Sequence, residues 1–207
     1  MFDTERLCCE AWRAVSAKAG YKMDDALFFS CVGRNNRDTK SLVMKALGPD
    51  FPYDAFNLEA KQWMLDRMTE SGPPEKAGIR PLFDWLSDAG IPIALATSTS
   101  EKSARWMIER AGLSRYFGAY AFGSEVEKGK PEPDIFLLAR DRLGTIKSGE
   151  CAVFEDSPAG ITAASKAGMR PIFVMDMIRP KPEVLSLIWK EIQTLDQAAN
   201  ADFFVDM

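Results

Sequence analysis

The segment at residues 153–160 reads VFEDSPAG. It is an apolar run that ends in two adjacent carboxylates, Glu155 and Asp156, and continues with Ser157 and Pro158. Serine is a favoured helix N-cap and proline a favoured first helical residue, so the pattern predicts a strand, a short acidic loop and a helix. Two like charges side by side need a cation or several hydrogen-bond donors near them. The chain must supply those partners, or the pair must bind an ion.

The same alternation of apolar run and helix extends over most of the chain after residue 78. The apolar runs are residues 91–97, 120–123, 151–155 and 170–175, and helical segments such as residues 133–143 and 158–167 lie between them. Strands that alternate with helices predict an α/β fold with a parallel sheet covered on both faces. Ligands of such sheets bind beyond the carboxyl ends of the strands, so polar residues at those ends are the candidate site residues.

The first third of the chain differs, because its apolar residues follow only helical spacing. The apolar positions on the predicted helices are Leu7, Ala11, Val15 and Ala19, and then Ala60, Trp63, Met64 and Met68. A further helix is predicted over residues 40–47. The Gly/Pro-rich segment SGPPEKAG, residues 71–78, predicts a domain boundary. We therefore expect a small helical domain over residues 5–72, with Trp63, Met64 and Met68 in its core, and an α/β core domain over residues 73–207.

The composition excludes several classes of function. The 207 residues carry a formal net charge of −4, so no basic excess is present to bind nucleic acid. No run reaches the ~18 apolar residues of a membrane span, and the first residues lack the order of a signal peptide. The absence of histidine excludes histidine zinc sites and Ser-His or Cys-His catalysis. Four cysteines without a C-x-x-C pair favour free thiols in a reducing cytoplasm. The expected assembly is a monomer or a dimer.

Three predicted strand ends carry polar residues suited to an anion and a metal. Thr97 ends one of these strands and residues 98–100, Ser-Thr-Ser, lead into a helix, where hydroxyls and free N–H groups bind anions, although an ordinary helix cap is the alternative. Lys130, in the segment KGKPEPDIF, suits a phosphate oxygen or a carboxylate, or is a solvated surface lysine. Glu155 and Asp156 offer hard oxygen ligands for Mg²⁺, or form an acidic turn bonded to the next helix. Taken together, they predict one pocket for phosphate and Mg²⁺.

These segments resemble the motifs of the haloacid dehalogenase-like hydrolase superfamily, in its phosphatase and β-phosphoglucomutase-like branch with a helical cap. IALATSTS resembles the second motif, KGKPEPDIF the third, and VFEDSPAGITAASKAG the fourth and most specific one. The likeness covers nearly the whole chain, and the early helices resemble the cap. It implies a Rossmann-like core domain and Mg²⁺-dependent phosphoryl transfer through an aspartyl-phosphate.

The resemblance also implies a role for each strand end. Thr97 would bind phosphate through its hydroxyl and Ser98 through its N–H group, while Lys130 would neutralise the phosphate and the nucleophile. Glu155 and Asp156 would hold Mg²⁺, partly through water. Thr97 and Lys130 are thus the catalytic candidates. The expected substrate is a small phosphorylated metabolite such as a sugar phosphate, and a phosphatase and a mutase would use the same covalent intermediate.

The chain departs from the family at the first motif, an apolar strand that ends in Asp-x-Asp-Gly and is followed by Asp-Thr-Glu. The sequence begins MFDTERL, so Asp3, Thr4 and Glu5 match only the tail of that motif. We therefore expect residues 1–4 to be a remnant of the first-motif loop and the chain as given to be inactive. Either Met1 is an internal methionine of a longer protein, which we favour, or the chain is a non-catalytic relative that binds phosphate ligands.

In the family the first strand lies between the strands that here end at Thr97 and Glu155. Its absence would leave two unpaired strand edges, which are sites of unwanted pairing. We therefore expect these two strands to pair with each other, or a segment from elsewhere in the chain to fill the gap.

Substrate choice in this family depends on the cap. The turn that contains Arg34, Asn35, Asn36 and Arg37 is predicted to face the pocket because arginine suits phosphate, although a solvated turn explains it equally well. Thr4, Arg34 and Arg37 are the predicted substrate contacts.

A receiver-type signalling module also combines aspartates, a hydroxyl and a Lys-Pro pair around Mg²⁺. In a receiver, however, the acidic pair precedes the Lys-Pro pair, and here it follows.

Overall fold

The computed structural model describes residues 1–32, 36–177 and 179–206 of the chain. These residues divide into two compact units, Met1–Glu75 and Lys76–Met207. The division falls inside the Gly/Pro-rich segment SGPPEKAG, where prolines interrupt regular structure.

The described part of the N-terminal unit is helical, apart from a single antiparallel bridge between Phe2 and Glu75. Its core is aromatic, with the ring of Trp12 lying edge-on to Phe28 at 5.3 Å and to Phe56 at 5.5 Å. The helices are α1 (Thr4–Lys18), α2 (Asp25–Cys31), α3 (Asn36–Leu47) and α4 (Tyr53–Ser71).

Most of the apolar face predicted for helix α1 is confirmed. Leu7, Ala11 and Val15 are buried, whereas Ala19 is the exposed C-cap residue. The expectation that the second half of α4 forms the core is wrong. The buried residues of α4 are near its start, and the three residues predicted for the core are only half-buried; these are Trp63, Met64 and Met68.

Helix α3 confirms the helix predicted over residues 40–47 but begins earlier, at Asn36. Asn36 and Arg37 therefore lie in the first turn of a helix and not in a polar turn. Arg34 and Asn35, the other two members of the predicted pocket-facing group, lie outside the described residues.

The C-terminal unit alternates strands and helices, which confirms the α/β fold. Every pair of neighbouring strands is parallel. The strands are β1 (Ile93–Thr97), β2 (Phe117–Phe122), β3 (Ala152–Glu155), β4 (Arg170–Val174) and β5 (Lys190–Ile192). The helices are α5 (Ile79–Asp88), α6 (Glu101–Arg110), α7 (Asp134–Leu143), α8 (Pro158–Lys166) and α9 (Pro182–Leu185). Short 3-10 turns cover Ser114–Tyr116, Gly123–Glu125, Ser148–Glu150, Leu195–Ala198 and Ala201–Phe204.

The strands form two sheets and not one. One sheet pairs β1 with β2, and the other has the order β3-β4-β5. The expectation that β1 and β3 pair with each other, or that another segment pairs between them, is therefore wrong for the part of the chain that the structure describes. Every residue of β1 is half-exposed, in contrast to the four buried residues of β4. Both β1 and β3 thus have an open edge within the described chain.

One apolar cluster connects the two sheets. Residues of α7 and α8 pack with Ala121 of β2 and Val153 of β3, and Ala94 and Ala96 of β1 lie against the same cluster. The helix residues in it are Ile135, Phe136 and Ala139 from α7, and Ala163 and Ala164 from α8. Small side chains on β1 and α8 allow helices and strands to approach closely. Among the described residues, no helix combines the length and the apolar character needed to cross a membrane.

Glu125, in the turn after β2, is expected to make the stability of the fold depend on pH. Glu125 accepts hydrogen bonds from the guanidinium of Arg142 and from the N–H of Phe122, and these lower the pKa of its carboxyl from 4.5 to about 2. Because the pKa of the Glu125 carboxyl is lower in the folded state than in the unfolded state, this group stabilises the fold at pH values above its unfolded pKa. The stabilisation is lost as the pH falls through the range towards the folded pKa. We expect Glu125→Gln to lower stability at neutral pH, and the difference from the parent chain to shrink as the pH falls from 4.5 to about 2. Urea unfolding midpoints across this pH range measure it, and a difference that does not change with pH would contradict the prediction.

Candidate active site

The ammonium group of Lys130 connects strand ends that belong to different sheets. It donates one hydrogen bond to Oε1 of Glu155, the last residue of β3, and another to the carbonyl of Ala96 in β1 at 3.4 Å. It also lies 4.6 Å from the ring centroid of Phe136. Both charged side chains are mostly buried, with 12% and 10% of their surface exposed. One desolvated cation thus links β1 to β3 beside Thr97, and the surface-lysine alternative for Lys130 is wrong.

Both carboxylate oxygens of Glu155 accept hydrogen bonds from other residues of the chain. Its second oxygen, Oε2, accepts hydrogen bonds from the backbone N–H of Ser157 at 3.3 Å and from the Ser157 hydroxyl at 2.9 Å. The Ser157 oxygen in turn accepts the N–H of Gly160 at 3.0 Å, which confirms Ser157 as the N-cap of α8. Through these hydrogen bonds Glu155 positions both Lys130 and the start of α8. The peptide bond between Lys130 and Pro131 is cis.

Gly160 provides the space that the Glu155 carboxylate occupies. A Cβ atom at this position would lie 2.0 Å from Cδ of Glu155 and 2.3 Å from each of its oxygens. Since real Cβ atoms essentially never approach other atoms within 3.0 Å, only glycine fits here while the carboxylate keeps its place. The sequence motif contains this glycine, but its spacing alone did not indicate what the glycine accommodates.

Asp156 faces a different lysine from its neighbour. Its Oδ2 lies 3.4 Å from Nζ of Lys76, and the same Nζ lies 2.9 Å from Oδ2 of Asp176. The repulsion between the adjacent carboxylates of residues 155 and 156 is offset because each of them pairs with a different lysine ammonium group. The sequence interpretation missed both new partners. Asp176 follows the apolar run that becomes β4 and therefore carries the same strand-end signal as Thr97, whereas Lys76 lies in the connector and has no such signal.

Thr97 ends β1, and its Oγ1 accepts the backbone N–H of Thr99 at 3.1 Å. The N-cap of α6 is Ser100, whose hydroxyl oxygen accepts the N–H of Ser103 at 3.4 Å. The ordinary helix cap, which was the alternative for this run of hydroxyls, is therefore present at Ser100, while Thr97 does not cap α6. Ser98 is exposed and lies close to Gly123, where a Cβ atom would be 3.3 Å from the Ser98 Cα.

The candidate residues at the N-terminal end lie in the other unit. Thr4 is the half-buried first residue of α1, and Arg37 is exposed in α3. The carboxylate of Asp3 pairs through Oδ2 with Arg6 at 3.0 Å, while its Oδ1 is buried without a hydrogen-bond partner among the described residues. The substrate contacts of Thr4, Arg34 and Arg37 stay predictions.

A comparison with protein families covers the segments that carry Lys130, Glu155 and the β3–α8 loop. The family model for haloacid dehalogenase-like hydrolases matches residues 2–168. The chain belongs to the haloacid dehalogenase-like hydrolase family. This membership sets aside the receiver-type module, and it confirms the resemblance carried by the strand-end motifs.

Two phosphatases and one solved structure resemble this chain over most of their own length. The phosphorylated carbohydrates phosphatase of Thermotoga maritima is 32% identical, over 84% of this chain and 79% of the relative. The fructose-1-phosphate phosphatase YqaB of Escherichia coli is 28% identical, over 84% of this chain and 90% of the relative. A crystal structure from Thermotoga maritima, provisionally described as a β-phosphoglucomutase, superposes with a TM-score of 0.81 at 27% identity, covering 99% of this chain and 94% of that one.

Mg²⁺ fits this hydrolase at one of the two predicted carboxylates. Asp156 is 37% exposed and has a lysine only at 3.4 Å, so it retains oxygen surface for a hard cation. Glu155 has little such surface, because Lys130 and Ser157 engage both of its oxygens. Within residues 1–32, 36–177 and 179–206, no three acidic or cysteine side chains converge into a complete ligand set. Mg²⁺ at Asp156 would therefore need further oxygen ligands from outside the described side chains.

Proposed function

We propose that this chain provides the phosphate-handling core of a phosphatase or phosphomutase. Its substrate is a small phosphorylated metabolite such as a sugar phosphate, and the reaction proceeds through an aspartyl-phosphate. The observation that carries the proposal is the buried ammonium group of Lys130, held between the ends of β1 and β3. The relatives support the substrate class, since two of them are named as phosphatases of phosphorylated carbohydrates and of fructose 1-phosphate.

Each strand end then has one task at the phosphoryl group. Lys130 neutralises the phosphate, and Glu155 fixes the direction of its side chain, so that little reorganisation is needed when substrate binds. The Thr97 hydroxyl and the Ser98 N–H group, both at the end of β1, donate to phosphate oxygens. These groups position a substrate and stabilise its charge, which is most of what phosphoryl transfer requires of a protein.

We assign the metal to Asp156. Mg²⁺, when bound, supplies positive charge to the phosphoryl oxygens and to the attacking carboxylate. Asp156 follows β3 directly and so holds its carboxylate at the strand end where ligands of parallel sheets bind. We assign Glu155 to positioning Lys130, so that any contribution of Glu155 to the metal runs through water.

We further propose that the attacking aspartate belongs to a strand that fits between β1 and β3. The open edges of these two strands, and the half-exposed residues of β1, support this placement. The pattern Asp-x-Asp-Gly does not occur in the 207 residues.

A grafted strand tests the proposal. Met1 and Phe2 are replaced by an apolar strand, Asp-x-Asp-Gly and a two-residue spacer, and Mg²⁺-dependent hydrolysis of an aryl phosphate is measured, followed by a panel of sugar phosphates. We expect no turnover by the 207-residue chain and measurable turnover by the extended chain. Changing the first grafted aspartate to asparagine should abolish turnover, because it removes the nucleophile. Lys130→Ala should lower it at least about a hundredfold, since a preorganised charge is lost.

Two outcomes would contradict the proposal. Turnover by the 207-residue chain that is lost in Asp3→Asn would make Asp3 the nucleophile. An extended chain that is folded and binds phosphate but turns over no ester in the panel would favour a non-catalytic phosphate-binding relative. Calorimetric titration with inorganic phosphate separates this second outcome from loss of the site.

A further inference from the structure

The second buried lysine of the C-terminal unit lies between two carboxylates. Nζ of Lys76 is 2.9 Å from Oδ2 of Asp176 and 3.4 Å from Oδ2 of Asp156. The Lys76 and Asp176 side chains are only 9% and 12% exposed. Two carboxylates that come from different strand ends, after β3 and after β4, thus converge on a single cation that belongs to the chain.

The backbone around Lys76 is fixed on both sides. The carbonyl of Lys76 accepts the N–H of Ile79 at 3.3 Å, and the carbonyl of Ala77 accepts the N–H of Leu195 at 2.9 Å. Gly78 has φ +81° and lies so close to Asp196 that a Cβ atom would be 2.2 Å from its backbone nitrogen. Since these contacts hold the segment, the ammonium group is preorganised between the two carboxylates and is not a loosely attached surface charge.

The charges at this point suit a divalent ion better than a monovalent one. Two carboxylates and one ammonium group leave one negative charge in a cluster in which Lys76 and Asp176 are mostly buried and Asp156 is 37% exposed. A divalent cation at the same point would leave none, and Asp oxygens are the ligands that such ions take. An ammonium group and a divalent cation cannot occupy the point together, because like charges in contact in a poorly solvated site repel strongly.

We propose that Lys76 is a built-in cation, which occupies the point between Asp156 and Asp176 where a divalent metal would otherwise bind. Removing its charge opens a divalent-cation site made by these two carboxylates. The inference deepens the proposed function, since Asp156 takes part in both, but it concerns the binding of an ion and is measured without turnover. If the extended chain shows no turnover, the inference about Lys76 still stands. If Lys76→Met gains no affinity for the ion, the proposed function still stands.

The test is Mn²⁺ binding to the 207-residue chain and to Lys76→Met, followed by the electron paramagnetic resonance signal of free Mn²⁺. We expect Lys76→Met to bind Mn²⁺ at least about tenfold more tightly than the parent chain, because the competing charge is gone. Mn²⁺ should also raise the melting temperature of Lys76→Met more than that of the parent chain, since a ligand that binds the folded state stabilises it. Lys76→Gln, which keeps a donor for Asp176, serves the same test if the methionine variant does not fold.

Two further variants define the site. Lys166→Met removes the same charge from an exposed ion pair with Glu132 in the same unit and is expected to leave Mn²⁺ affinity as in the parent chain. Adding Asp176→Asn to Lys76→Met should remove the gain, because one of the two ligands is lost. The proposal is overturned if folded Lys76→Met and Lys76→Gln bind Mn²⁺ no more tightly than the parent chain. An equal gain in Lys166→Met, or a gain that survives Asp176→Asn, would overturn it as well.

Discussion

Lys130→Met is expected to lower the free energy of unfolding by about 3 kcal/mol or more, because breaking one side of a buried ion pair leaves the other charge uncompensated. Glu155, with 10% of its side chain exposed, would keep only the donors of Ser157. The loss also removes the hydrogen bond to Ala96 and so weakens the connection between the two sheets. Urea denaturation followed by far-UV circular dichroism measures the change.

The double variant Lys130→Met/Glu155→Gln separates the buried charge from the lost packing. Neutralising both partners removes the uncompensated charge, so the double variant should be more stable than Lys130→Met alone. Lys166→Met is the matched control, because its ion pair with Glu132 is 43% and 42% exposed and should contribute far less. A similar loss of stability in Lys130→Met and Lys166→Met would show that the Lys130 pair is not effectively desolvated.

The strands and their polar ends were predictable from the sequence, but the ionic partners were not. Apolar runs and helix caps located β1, β3 and β4 and the residues that follow them, because these are local signals. Lys76 reaches Asp156 from a distant part of the chain, and a pattern read along the sequence does not carry such a contact. Successive side chains at a strand end point to opposite sides, which is why adjacent Glu155 and Asp156 face different lysines.

The division of the strands into two sheets was not predictable from the alternation of strands and helices. That pattern indicates that strands exist and are parallel, but not which of them are neighbours. The family's strand order located the gap between β1 and β3, and the structure shows that the described chain does not pair across it. Strand β5 was missed because it is three residues long and reads KEI, too short and too charged to form an apolar run.

The core of the N-terminal unit was predicted less well than the strands. Apolar residues occur on every side of α4, so the sequence does not select the face that packs. The structure buries Tyr53, Phe56 and Ala60 and leaves Trp63 half-buried. The aromatic contacts of Phe56 with Trp12 and Phe51 show why the first turns of the helix carry the core.

Gly160→Ala is expected to destabilise the chain by about 2 kcal/mol or more, although alanine normally stabilises a helix relative to glycine by about 0.5–1 kcal/mol. The added methyl group would coincide with the Glu155 carboxylate, at 2.0 Å from its Cδ, so the carboxylate must move. Any such movement lengthens the hydrogen bonds to Lys130 or Ser157. The sign of the effect is therefore the informative quantity, and urea unfolding midpoints measure it.

Two comparisons assign the effect of Gly160→Ala to Glu155. Gly149→Ala is the matched control, because Gly149 has an ordinary φ and no heavy atom within 4 Å of its added Cβ, so stability should change little. The shorter side chain of Glu155→Asp withdraws the carboxylate from the glycine, and in that background Gly160→Ala should cost less than in the parent chain. An equal cost in both backgrounds would place the clash elsewhere on α8. A smaller cost would show that this glycine is required because the carboxylate that accepts the Lys130 hydrogen bond lies against it.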